Sequence, residues 1–182
     1  MLTEKVVEEF KARGKVARLR YPKFEDVDGL LTHINSLVEE RAFIGTQKKV
    51  SRKEELGYVR RLLKDIERKR AVALIVEIDR KILGAGEVKK AELDASRHTG
   101  NLGVALRKEA RGLGIGERLA KSLIREAKKR LNLKIAKLEV FANNKPAYKL
   151  YKKLGFKEVG RIENGNYYYG KYVDNIIMVK YL

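Results

Sequence analysis

From Glu25 to Glu40 the apolar side chains Val27, Leu30, Leu31, Ile34 and Val38 recur at the helical period, which predicts a helix. Ser51 followed by Glu54 has the form of a capping box, and Leu56, Val59, Leu63 and Ile66 trace the apolar stripe of the helix it opens. Then the period changes. Residues 71–78, AVALIVEI, are almost continuously apolar, as in a strand buried on both faces. Asp79, Arg80 and Lys81 turn the chain, and 82–92 returns as a strand in which Gly84 and Gly86 mark a bulge or a close backbone approach. Residues 99–106 form a third strand, with Leu102, Val104 and Leu106 on one face. After a glycine-rich loop, Ile115, Leu119, Leu123 and Ala127 line up along a helix that ends near Leu131. Residues 134–142 read as a strand, and 144–155 as a helix with Asn144 as its N-cap, Pro146 in its first turn and Gly155 as its stop. Residues 156–162 and 175–182 are two more strands, joined by an aromatic loop at 163–174. Upstream, 16–21 alternates as a strand ended by Pro22, and residues 1–14 read as a charged helical extension. The order predicts an α/β fold with a mixed central sheet of about seven strands and helices on both faces. One domain would span 16–182, preceded by an extension at 1–15.

Composition narrows the chemistry. The 182 residues suit one domain, and 44% apolar content is enough for one packed core. The absence of Cys excludes a disulfide, a thiol nucleophile and a Cys-based zinc site. With His33 and His98 the only histidines, neither a metal site nor a His-dependent triad is expected. No apolar run approaches the roughly 18 residues of a membrane span. The N-terminal residues mix acids and bases without an apolar stretch, unlike a secretory signal, so a cytoplasmic protein is expected. The formal charge of +18 is uneven: 23 basic and 17 acidic side chains in 1–100, against 19 and 7 in 101–182. That excess suits an anionic partner, whether a nucleic acid, a phosphorylated cofactor or an acidic protein, although a solvated surface explains it as well. No recognition helix, zinc site or RNA-stacking motif accompanies it.

The segment Arg111, Gly112, Leu113, Gly114, Ile115, Gly116 lies between a predicted strand and an amphipathic helix. Glycines let a backbone turn tightly and approach a ligand, and the first amides of the helix are unpaired. Together with the helix dipole they would form an anion site, while a tight turn alone explains the glycines equally well. The spacing fits neither a dinucleotide fingerprint nor the end of a P-loop.

Arg111, Gly114 and Gly116 also fit the R/Q-x-x-G-x-G/A signature, and a second block follows with Asn144, Ala147, Leu150, Tyr151, Gly155 and Phe156. In these two blocks the chain resembles the GNAT family of N-acetyltransferases, nearest in motif to the ribosomal-protein alanine and protein N-terminal acetyltransferases. The resemblance is clearest over 99–182. It implies acetyl-CoA as cosubstrate and a splayed pair of parallel strands, 99–106 and 134–142, that admits its pantetheine arm. Val104, Ala105 and Leu106 would pair with that arm. Arg111, Gly112, Leu113, Gly114, Ile115 and Gly116 would receive the pyrophosphate, with Lys108 and Arg118 adding charge. Asn144 would contact the pantetheine, and Tyr151 would protonate the leaving thiolate. Glu139 matches the catalytic glutamate of the alanine acetyltransferases, with Glu87, His98 or a water relay in reserve.

The acceptor implied is a primary amine, either a protein N-terminus or a lysine, with a small amine or amino acid as the alternative. Its specificity would come from 41–50 and 163–174, the latter with Tyr167, Tyr168, Tyr169 and Tyr172. No acidic groups that would seize a polyamine are evident in the sequence, and the net charge argues against such a substrate. A basic nucleic-acid- or ribosome-associated module without turnover is the reading from another class. Either a monomer or a homodimer fits, and no membrane partner is expected.

Overall fold

The computed structural model describes residues 4–182. Eight strands form one sheet in the order β1-β2-β3-β4-β5-β6-β8-β7. They are β1 (Val6–Ala12), β2 (Lys15–Arg20), β3 (Ala71–Ile78), β4 (Lys81–Lys90), β5 (Thr99–Leu106), β6 (Ile135–Phe141), β7 (Lys157–Tyr168) and β8 (Lys171–Tyr181). The helices are α1 (Val27–Glu39), α2 (Arg52–Glu67), α3 (Ile115–Leu131) and α4 (Lys145–Lys153). Every neighbouring pair is antiparallel except β5–β6. Among the described residues no helix is long and apolar enough to cross a membrane.

Two expectations need correction. The strand count is eight, because residues 6–12 form the edge strand β1, not a helix; residues 1–3 of that expected helix lie outside the described residues. β1 hydrogen-bonds to β2 and packs Phe10 under the Arg118 guanidinium, 4.7 Å from the ring centre. The aromatic segment 163–174 is not a free loop either. β7 and β8 run through it as a hairpin that turns at Tyr169 and Gly170, both with positive φ.

β3 is buried along nearly its whole length because helices cover both of its faces. Val27, Leu30 and Val59 of α1 and α2 pack with Ile75 and Ile82 on one face. On the other face α3 lies so close that a Cβ on Gly86 would sit 2.7 Å from Leu123 Cδ1. Ser51 and Glu54 form the anticipated capping box, which fixes the start of α2.

Candidate active site

The parallel pair is short. β5 and β6 are in register at Thr99–Ile135, Gly100–Ala136 and Asn101–Lys137, and beyond Asn101 the strands part. The carbonyls of Gly103 and Ala105 lie against Gly86 and Gly84 of β4. Alternation therefore turns the backbone polar groups of Val104 and Leu106 towards the gap. Of the three expected residues, Val104 and Leu106 offer backbone edge there, whereas the Ala105 backbone belongs to the β4 ladder.

At the end of β5 the chain makes a turn of 3-10 helix at Lys108–Ala110 and enters the glycine loop. Gly112 and Gly114 have φ of 71° and 73°, a left-handed conformation that a Cβ would strain. Among the described residues the backbone N–H groups from Gly112 to Glu117 have no hydrogen-bond partner, and the first helical bond runs from Arg118 N to Gly114 O. Six consecutive free donors at the positive end of α3 form a site for an anion. Arg111 lies beside them but is engaged. Its Nε and Nη2 donate to Leu106 O at 2.9 and 2.7 Å, and it pairs with Glu40. Arg118 pairs with Glu8 at 2.7 Å.

A cavity of about 700 Å³ lies next to the gap and is lined by Val104, Ala105, Glu139, Asn144 and Tyr151. Asn144 caps α4, accepting from Ala147 N at 3.3 Å, and lines the cavity as well. Tyr151 is 6% exposed and packs edge-on against Phe156, with ring centres 5.8 Å apart. Burial pushes its phenol up to about 12. Glu139 accepts from Asn175 Nδ2 at 2.5 Å, and Glu87 accepts from the Tyr58 hydroxyl at 3.2 Å.

Register relates these two carboxylates. Continuing the β5–β6 register by two residues sets Glu139 level with Gly103, whose partner on β4 is Glu87. A Cβ on Gly103 would find nothing within 4 Å. The result is an open slot on β5 flanked by two acids, facing the side of the sheet that carries α1 and α2. His98 is not brought here. It is exposed and precedes β5, at the end where the parallel strands remain paired.

The two segments expected to set specificity meet over the cavity. Phe43 stacks on Tyr168 with ring centres 4.9 Å apart, and Phe141 packs against both. Gln47 bonds to the backbone of Tyr167 and Tyr169.

Among the lining residues not anticipated are His33, Glu55 and Tyr58. Glu55 lies on the row Glu55, Val59, Leu62, Ile66, all buried, so a carboxylate in the core-facing row of α2 was the available signal. His33 sits in the same way between Leu30 and Leu37 on α1. Burial, with Arg107 and Arg111 nearby, pulls its imidazole down to about 4.

Residues 37–156 match the acetyltransferase (GNAT) family, and the chain belongs to that family. It is similar to an N-alpha-acetyltransferase of Sulfurisphaera tokodaii, 45% identical over 56 residues, 31% of this chain. That match spans about a third of the relative's length, 34%. The ribosomal-protein-alanine N-acetyltransferase of Brucella melitensis is 26% identical, with a TM-score of 0.79 over 90% of this chain and 99% of its own. A ribosomal L7/L12 alpha-N-protein acetyltransferase solved with coenzyme A has a TM-score of 0.83 at 14% identity, over 98% of each chain.

Proposed function

We propose that the chain transfers the acetyl group of acetyl-CoA to a primary amine, the α-amino group of a protein N-terminus. The observation that carries this reading is a single cavity that joins the strand gap, with Tyr151 and Asn144 at its side, to the slot between Glu87 and Glu139. The names of the Sulfurisphaera and Brucella relatives support the same acceptor.

The residues present fit the cosubstrate. Free amides at 112–117 suit a pyrophosphate, and the edge formed by the Val104 backbone and the Leu106 N–H, whose carbonyl Arg111 holds, suits the amides of a pantetheine arm. The thioester supplies an acetyl group already activated for attack, so the protein is left to position and to move protons. Arg111 acts by fixing the turn, since its guanidinium holds Leu106 O and Glu40. Glu139 takes the ammonium proton at a carboxylate oxygen, and Tyr151 holds a proton at its hydroxyl for the departing sulfur.

Purified protein, acetyl-CoA and a panel of N-terminal peptides, lysine peptides and small amines test the proposal. Release of free CoA with N-terminal peptides is the expected result. Steeply salt-dependent RNA binding without CoA affinity would replace the reading with that of a basic binding module. Gly114→Val is expected to abolish CoA binding by calorimetry while the far-UV CD spectrum stays that of the parent. Unchanged CoA affinity would remove the glycine loop from the site. Gly103→Ala places a methyl in the slot, with no other atom within 4 Å of it, and is expected to reduce kcat/KM for the acceptor by about tenfold. CoA affinity of this variant, read by the same calorimetry, is expected to persist.

A further inference from the structure

The protein carries +18, yet its cavity is acidic. Glu54, Glu55, Glu87 and Glu139 line it, and among its described lining residues Arg61 is the one Lys or Arg. Three of the four carboxylates have partners already described: Glu54 in the capping box, Glu87 with Tyr58, Glu139 with Asn175. Glu55 differs. It is 5% exposed and lines the cavity, and desolvation alone pushes its carboxyl up, with no hydrogen bond or charge offsetting it. Its oxygens keep contact with the space of the cavity, so a ligand there can supply the missing partner.

Glu55 shares the first turn of α2 with Glu54, where the dipole favours a carboxylate, but Glu54 and not Glu55 makes the capping box with Ser51. A second buried group on the same wall also lacks a partner. His33 is 4% exposed and lines the cavity, and its Nδ1 makes no hydrogen bond among the described residues. With its imidazole pulled down to about 4, it is neutral at physiological pH and adds no positive charge to repel a cation. An acid and a neutral imidazole that line the cavity therefore both lack a polar partner among the described residues.

We propose that Glu55, on α2, forms a cation subsite inside the cavity, which selects acceptors carrying a second positive charge besides the amine that reacts. This rests on the transferase reading and deepens it: Glu87 and Glu139 flank the reacting amine, and Glu55 takes the second charge. The chemistry fits a peptide N-terminus followed by a basic side chain, or a free diamine, and excludes acidic acceptors. It also revises the view that the chain's charge disfavours polycationic substrates, since the net charge is spread over the outside and the cavity is acidic.

The test compares two peptides that differ only at the second residue, Lys against Leu, and 1,5-diaminopentane against pentylamine. With the wild-type protein, kcat/KM for the Lys peptide is expected to exceed that for the Leu peptide by about tenfold, the effect of one hydrogen bond to a charged group. Glu55→Gln is expected to bring the ratio to about one without lowering Tm, because it removes an unpaired buried charge. If Glu55 serves only the helix dipole, Glu55→Gln lowers Tm and leaves the ratio intact, which overturns the proposal. Should Glu55→Gln not fold, Glu55→Asp keeps the charge on a shorter stem and is expected to reduce the ratio part-way; an unchanged ratio overturns the proposal. Equal wild-type rates for both peptides and for both amines overturn the subsite and leave the transferase standing.

Calorimetry of the free protein with the same four compounds separates the two failures. Tighter dication binding that Glu55→Gln abolishes, with no acetylation of any compound, keeps the subsite and overturns the transferase. Preference confined to the peptides or to the diamine identifies which source of the second charge the cavity accepts.

Discussion

Tyr151→Phe is expected to lower kcat by about 10²–10⁴, the contribution of one general acid, with little change in CoA affinity. The substitution is clean because the ring does the packing. Tyr151 is 6% exposed and meets Phe156 edge-on at 5.8 Å, and Phe preserves both the volume and that contact. Only the hydroxyl is lost. Burial pushes the phenol up to about 12, so it keeps its proton across the working pH range and is a ready donor to a thiolate. The defect should therefore be as large at alkaline as at neutral pH, since no change of pH restores a missing donor. Steady-state rates of CoA release, with calorimetry for affinity, measure both halves of the claim. A variant within about threefold of the parent would make Tyr151 a core residue, because one general acid is worth far more.

The elements legible in the sequence are those whose periodicity comes from burial. β3 is apolar throughout because helices cover both its faces, and α3 shows a clean apolar row because the sheet covers only one of its own. β1 escaped because its inward face holds a charge. Glu8 points towards α3, where Ser122 donates to it at 2.8 Å and Arg118 at 2.7 Å, so the alternation of Glu8, Phe10 and Ala12 does not read as apolar. The distal part of β7 escaped for another reason: most of its residues are exposed, so solvent leaves no pattern on it.

The site divides in the same way. The proposed cosubstrate side lies in a contiguous glycine loop and one helix start, and short-range motifs describe it. The proposed acceptor side is assembled from α1, α2, β4, β6 and two loops, and no local spacing records that His33, Glu55 and Glu87 share a cavity. Glu55 was hidden by its chemistry as well. A glutamate near a helix start reads as a cap, and only its place in the row with Val59 and Leu62 sets it apart.

Glu139→Gln is expected to lower kcat/KM by about 10²–10⁴ near neutral pH and to recover as the pH rises. Glutamine keeps the shape and can still accept from Asn175, which bonds the carboxylate at 2.5 Å, so the strand and its neighbour stay in place while the base is lost. An amine arriving as ammonium needs that base; one arriving neutral does not. Below the acceptor's pKa the neutral fraction grows about tenfold per pH unit, so the gap to the parent should close at that rate. An α-amino group, with a pKa near 7.7–8.0, would complete its recovery soon after about pH 8, whereas a lysine, near 10.4, would continue to about pH 10. The profile thus reports the class of amine as well as the base. Tyr151→Phe serves as the reference that shows no recovery. Glu87→Gln is the companion variant, because Glu87 flanks the same slot over Gly103 from β4. If Glu87→Gln recovers with pH and Glu139→Gln runs parallel to the parent throughout, the base sits on β4. Glu139 is then a carboxylate that fixes Asn175.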